Sequence, residues 1–321
     1  MSADTARASA TTRAALASVA TALVLLALKG WATLATGSVA MLGSLIDSSL
    51  DVIASLVTLW AVRIAAAPAD RDHRFGHGKA EALAALFQVG LIAVSAIGIA
   101  WRAVDRLMSG DVPAEVEYGI GVSTAAIAAT LALTAYQRRV IRQTGSIAIG
   151  ADHVHYQSDL LLNAAVIAAL ALERYAGLTG ADPLFGIAIA AWLAWGGFRA
   201  SRAAVNQLMD REWPEERRRA FLAATIHPDN LGTHDLRTRS SGAHEFAQFH
   251  IHVDPAMTVT EAHRVMDEIE AQLARDFPGV EVLIHVDPEG QIDAPGNALV
   301  ETDETADLHA GEGDPAASRS H

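Results

Sequence analysis

Six stretches of the chain are apolar for long enough to cross about 30 Å of hydrocarbon as helix: residues 14–36, 38–64, 80–103, 118–136, 146–172 and 183–203. Short connections rich in Gly, Ser, Asp and Pro separate them, at 36–38, 109–111, 143–146 and 180–183. Beyond residue 210 the pattern becomes that of a soluble domain. Residues 214–226 predict a helix with Pro214 near its start, and 234–240 and 244–254 alternate as strands. Helical spacing of Val259, Ala262, Val265, Met266, Ile269 and Leu273 predicts a helix over 258–277, followed by a last strand over 280–287. The expected fold is an α-helical membrane protein, a six-transmembrane-helix bundle followed by a small α+β domain of order αββαβ, ferredoxin/metallochaperone-like. Its expected segments are an N-terminal segment 1–13, a transmembrane domain 14–209, a soluble domain 210–290 and a tail 291–321. The tail has seven acidic residues against one Arg and few large apolar ones, so it predicts disorder.

Composition sharpens this picture. Hydrophobic residues make up 51% of the 321, too many for an ordinary soluble protein of this size. A formal charge of -13 argues against a nucleic-acid partner. The absence of cysteine removes disulfides, zinc–thiolate centres and cysteine nucleophiles, which leaves His, Asp, Glu and backbone oxygen as metal ligands. No small-residue cleavage pattern follows the first apolar stretch, so it reads as a retained span. Lys and Arg set the orientation: Arg7, Arg13, Arg63, Arg71, Arg74, Lys79, Arg138, Arg139 and Arg142 fall on one side, with only Arg102, Arg106 and Arg174 at helix ends on the other. Both termini are therefore expected in the cytoplasm.

The chemistry lies in polar residues inside the apolar stretches. Asp47 and Asp51 are four apart in the second stretch, and His155 and Asp159 are four apart in the fifth, each pair on one helical face. An intramembrane carboxylate costs roughly 2.5–3.5 kcal/mol on insertion scales, so such pairs call for a compensating partner. A divalent cation supplies it: three carboxylates and one imidazole suit tetrahedral zinc, and also accept iron(II), cadmium or manganese. Structural hydrogen bonding alone accounts poorly for two matched pairs, because Ser or Asn would do the same at lower cost. In the connection after the second stretch, Asp70, His73 and His77 converge on one ion if the loop folds back, and otherwise form a solvated loop. Seven of the thirteen His lie between His227 and His285. His250 and His252 share one strand face, as do His285 and Asp287. With His234 and His263 they point to a metal site in the soluble domain.

The sequence resembles the cation diffusion facilitators, and among them the bacterial YiiP-type zinc and iron(II) exporters, over about residues 10–290. The most specific pieces are Asp47-Ser48-Ser49-Leu50-Asp51, the run from Asp70 to Glu81, His155-Tyr156-Gln157-Ser158-Asp159, the run from His234 to Arg239, and Ile284-His285-Val286-Asp287-Pro288. The resemblance implies a transport site of Asp47, Asp51, His155 and Asp159, and a loop site of Asp70, His73 and His77. It implies a two-metal cluster of His234, His250, His263, His285 and Asp287, with Asp287 bridging. It further implies a homodimer joined through the cytoplasmic domain and an ion pair of Lys79 with Asp210 near the dimer axis. The expected activity is efflux of Zn2+, or of Fe2+, Cd2+ or Mn2+, by metal/proton antiport across a bacterial inner membrane, with the lipid bilayer as surroundings and no organic cofactor. The other classes weighed are a membrane metal sensor without transport and an intramembrane metallohydrolase. The second lacks a His-Glu-x-x-His motif and an open coordination position for catalytic water.

Overall fold

The computed structural model describes residues 3–36, 39–109, 120–176 and 181–290. The tail over 291–321 and its expected disorder lie outside the described residues. Two compact units result, divided after Leu208. The first is made of six long helices: α1 (Ala3–Thr36), α2 (Val39–Ala65), α3 (Ala80–Ser109), α4 (Ile120–Thr144), α5 (Ile147–Ala176) and α6 (Ala181–Leu208). All six expected spans are present as helices. By length and composition, α1, α2, α3 and α6 each contain a stretch able to cross a membrane. The polar residues of α4 (Gln137, Arg138, Arg139, Arg142) and of α5 (Asp152, His153, His155, Asp159) explain why these two are less apolar.

α1 begins at Ala3, well before the expected 14, and α4 continues through its arginines to Thr144. Backbone hydrogen bonds do not stop at the edge of an apolar stretch, and these flanks contain no Pro or Gly to end a helix. The most extensive interfaces join α3 to α6 and α1 to α2. Small residues let the backbones approach. A Cβ added at Gly186 of α6 would stand 3.0 Å from the Ala103 Cβ of α3, and one at Gly196 would stand 3.0 Å from a Val154 methyl of α5. The outward faces are apolar: Trp31, Trp60, Trp101, Val94, Ile97 and Trp195 are exposed. That inside-out pattern fits a surface in contact with lipid, with Trp31, Trp60 and Trp101 toward helix ends as interfacial anchors.

The second unit runs α7 (Glu215–Ala223), β1 (Gly232–Ser241), β2 (His244–Val253), α8 (Val259–Asp276) and β3 (Val280–Pro288), the expected αββαβ order. The sheet order is β1-β2-β3. β1 and β2 pair antiparallel through a hairpin, and β3 pairs parallel with β2 after the crossover through α8. Thr258 and Glu261 form a capping box at the start of α8. Alternation along β2 sends Phe249, Ile251 and Val253 toward Val265, Ile269 and Leu273 of α8 and Phe221 of α7, while His250 and His252 go to the other face. Phe221 is wholly buried, with edge-on ring contacts to Trp213 (5.6 Å), Phe249 (5.8 Å) and Phe277 (5.1 Å). Arg217 fastens α7 to β2 by a bidentate pair with Glu245 at 2.6 and 2.7 Å.

Replacing Phe221 with Ala removes the ring on which three others converge and should lower the stability of a soluble fragment over 209–290 by about 3–5 kcal/mol in urea unfolding. A loss below about 1 kcal/mol would mean that this cluster does not hold the unit together.

Candidate metal centres

Three groups of His and carboxylate side chains bring their ligand atoms within 4.8 Å of one another: Asp51 with His155 and Asp159; Asp70 with His73 and His77; His234 with His250 and Asp287.

The first group joins α2 to α5. His155 Nε2 lies 2.9 Å from Asp51 Oδ1 and 4.0 Å from Asp159 Oδ2. The His155 and Asp51 side chains are nearly buried, whereas Asp159 is more open. Ser55 Oγ and Tyr156 Oη, 2.8 Å apart, clamp the same two helices one turn along, and Tyr156 also donates to the Ser18 carbonyl of α1 at 3.2 Å. Ser158 donates to the His155 carbonyl, and Asn163 to that of Asp159 at 2.7 Å. Asp47 belongs to α2, one turn before Asp51, but its side chain lies outside the described residues.

A polar junction that the sequence reading omitted underlies this group. Asp152, wholly buried, accepts from Gln88 Nε2 of α3 (3.1 Å) and Gln137 Nε2 of α4 (2.8 Å). The same Gln88 nitrogen reaches the Ala54 carbonyl (3.3 Å) and Thr58 Oγ1 (3.1 Å) of α2, and Gln137 reaches Ser18 Oγ of α1 (3.0 Å). One carboxylate thereby links five helices. The signal was present, since Asp152 precedes His155 by three residues on the same helix, but its amide partners stand on other helices. Glu81, from the loop motif, is also buried and accepts from Ser146 Oγ at 2.5 Å, which ties the start of α3 to that of α5.

The second group is a folded loop. Asp70 Oδ1 accepts from the backbone N–H of Asp72 (2.9 Å) and His73 (2.7 Å), and Gly76, at φ 76°, turns the chain back. That brings His77 Nε2 to 3.2 Å from Asp70 Oδ2 and His73 Nδ1 to 3.5 Å from Oδ1. The backbone N–H of His73, chiefly, holds the exposed Asp70 carboxyl below its ordinary range.

Strand register builds the third group. His234 of β1 pairs with His250 of β2, and His250 with His285 of β3, so three imidazoles stand on one rung of the sheet. Asp287 turns one oxygen to each side: Oδ2 lies 2.8 Å from His250 Nδ1 and 3.5 Å from His234 Nε2, while Oδ1 lies 3.2 Å from His285 Nε2. Within one chain His263 stands apart from them. It is exposed on α8, 3.8 Å from Asp267, because α8 covers the apolar face of the sheet and the imidazole rung occupies the opposite one. Two further side chains border the group: His252, already placed on the His250 face by alternation, and Asp235, which the sequence reading left out. His252 stacks on His234 with ring centroids 4.2 Å apart. Asp235, at φ 50° in the β1 bulge, stands 4.0 Å from His250 Nε2. Lys79 Nζ donates to the Leu208 carbonyl at 3.3 Å, and Asp210 lies 3.9 Å from the Arg239 guanidinium.

Burial, then the neighbouring His252 and His250, push the His234 pKa below its ordinary value. The unfolded chain therefore takes up a proton that the folded unit resists, and this contribution to stability is present above about pH 6.5 and lost as pH falls toward the folded value. Urea unfolding of the metal-free fragment at pH 7.5 and 5.5 should show lower stability at 5.5, and His234→Gln should shrink the difference. An equal difference in the variant would assign the effect to other groups.

Two family models match the chain. The family model described as cation efflux transmembrane domain matches residues 15–209, and that described as cation efflux protein, cytoplasmic domain, matches 214–289. Curated relatives include the cation-efflux pump FieF of Pectobacterium atrosepticum, 43% identical over 86% of this chain and 92% of the relative. The protein of the same name from Serratia proteamaculans is likewise 43% identical over 86% and 92%.

Proposed function

The chain belongs to the cation efflux family, and on that premise we propose that it moves a divalent transition metal, zinc fitting best, out of the cytoplasm in exchange for protons. The carrying observation is that a single nitrogen, His155 Nε2, faces carboxylate oxygens of both α2 and α5. Its lone pair holds a proton or a metal ion, never both, and a proton there donates to the same oxygens that would otherwise ligate the metal. Loading and protonation therefore exclude each other at the same atoms.

Asp47, Asp51 and Asp159 supply three hard oxygens and His155 one borderline nitrogen, a set suited to four-coordinate zinc, with iron(II), cadmium and manganese as further substrates of similar chemistry. Because the ligands stand on two different helices, tilting α2 and α5 within the bundle opens the site to one side and then the other, which is alternating access. The excess of Lys and Arg on one side supports a cytoplasmic position for both termini, and the bacterial relatives support an inner-membrane location.

The soluble unit takes a different role. Asp287, with one oxygen toward His234 and His250 and the other toward His285, is placed to bridge two ions, and metal held there stabilises the domain by mass action. We assign this unit to homodimer formation and Asp70, His73 and His77 to a separate loop site that holds metal near the cytoplasmic surface.

Asp51→Ala or Asp159→Ala removes one ligand of four and should abolish metal uptake into proteoliposomes while leaving the dimer intact. Transport above about a third of the unmodified rate, well short of the loss a removed ligand implies, would place the site elsewhere.

His155→Asp turns the set into four carboxylates. Zinc uptake should fall relative to manganese in competitive assays, because manganese accepts more oxygen ligands and gains less from imidazole. An unchanged zinc-to-manganese ratio with measurable transport would remove His155 from the coordination shell.

A further inference from the structure

α1 carries a charge that the chemistry above does not use. Lys29 lies within the apolar stretch Ala6–Leu34, and its Nζ donates to Ser48 Oγ of α2 at 2.7 Å. Ser48 is wholly buried. An ammonium in such a place is costly, and one neutral hydroxyl compensates little of a full charge. A carboxylate lies one turn away, since Ser48 precedes Asp51 by three residues, an axial step of about 4.5 Å.

The other direction along the same axis carries the opposite charge. Gln88 bridges Asp152 to Ala54 and Thr58, which follow Asp51 on α2, whereas Asp152 precedes His155 on α5. The two helices therefore run antiparallel, and Asp152 lies one turn from the Asp51–His155 pair toward the loop that carries Asp70 and His77. Lys29 and Ser48 lie one turn away from it on the other side. The ligand pair is bracketed by a buried carboxylate toward the loop and an ammonium away from it.

We propose that Lys29 is a resident counter-charge of the transport site. When the site holds no metal, the ammonium offsets its carboxylates; when metal is bound, the same charge repels it and weakens its hold. A cation is thus drawn in past Asp152 and released past Lys29, the direction that efflux requires. The inference rests on the transport-site reading of Asp51, His155 and Asp159. A strut between α1 and α2 is the plainer role for this hydrogen bond, and the two differ in sign: losing a strut loosens the site and weakens binding, whereas losing a repulsive charge tightens it.

The test uses the full chain with Asp70→Ala and Asp287→Ala, so that the intramembrane site dominates, and zinc titrated against a fluorescent chelator at pH 7. Lys29→Met should bind zinc at least about tenfold tighter and turn over more slowly in proteoliposomes at saturating zinc. Lys29→Gln keeps a donor for Ser48 without the charge and should tighten binding in the same way, whereas Lys29→Arg keeps the charge and should stay within about threefold of the unmodified affinity. Unchanged or weaker binding in both Met and Gln variants would overturn the proposal. Asp51→Ala in the same background tests the site separately: zinc binding that survives it would overturn the transport-site reading itself, whatever the Lys29 variants do.

Discussion

Charge buried in an apolar helix bundle must be compensated, and the first unit is organised by that requirement. Asp51, Asp152, His155 and Asp159 stand on helices that contact hydrocarbon on their outer faces, so their stability depends on what faces them inside. Asp152 has amide donors from α3 and α4. Asp51 has the His155 imidazole, and Tyr156 and Ser55 keep their two helices at the spacing this pair needs. On the proposed reading the difference between these carboxylates is functional. Asp152 is met by neutral donors fixed in place, which suits a permanent anion, whereas Asp51 and Asp159 share a group that itself gains and loses a proton. A site with exchangeable compensation can alternate between ion and protons; a site with fixed compensation holds the bundle together.

The soluble unit meets the same problem differently. There the sheet register sets the spacing: an antiparallel and a parallel pairing place His234, His250 and His285 side by side, and the bulge in β1 turns Asp235 toward them. Exposure rises across the rung, from the buried His234 through His250 to the open His285, so the rung is held by Asp287 and by ring contacts and has no amide shell like that around Asp152. Rigidity comes from the opposite face, where the aromatic cluster around Phe221 fixes the strands and hence the rung.

Much of this was legible in the sequence because helix and strand periodicities are local. The spacing of Asp47 with Asp51 and of His155 with Asp159 showed that each pair shares a face, and alternation showed the same for His250 with His252. What periodicity does not carry is which face meets which. Asp152 obeys the rule that singled out His155, yet its significance depends on Gln88 and Gln137, whose neutral side chains draw no notice in apolar stretches. Lys29 was equally visible as a charge within residues 14–36, and its partner is a serine with no signal of its own. His263 shows the converse: within one chain it stands apart from the rung, and the amphipathic pattern of α8, with Val265, Ile269 and Leu273 facing the sheet, already sets that helix against the apolar side. That α1 and α4 run on to Ala3 and Thr144, past the apolar stretches, reflects the difference between where a helix leaves hydrocarbon and where its hydrogen bonds stop.

The central claim is that metal and protons replace one another on the Asp51, His155 and Asp159 cluster. It is tested most directly by stopped-flow zinc uptake into proteoliposomes carrying separate lumenal zinc and pH indicators, with an imposed pH gradient and no membrane potential. The account predicts that zinc entering the lumen is matched by protons leaving it, and that reversing the gradient slows zinc uptake. Zinc uptake with no lumenal pH change, at a rate indifferent to the gradient, would contradict it.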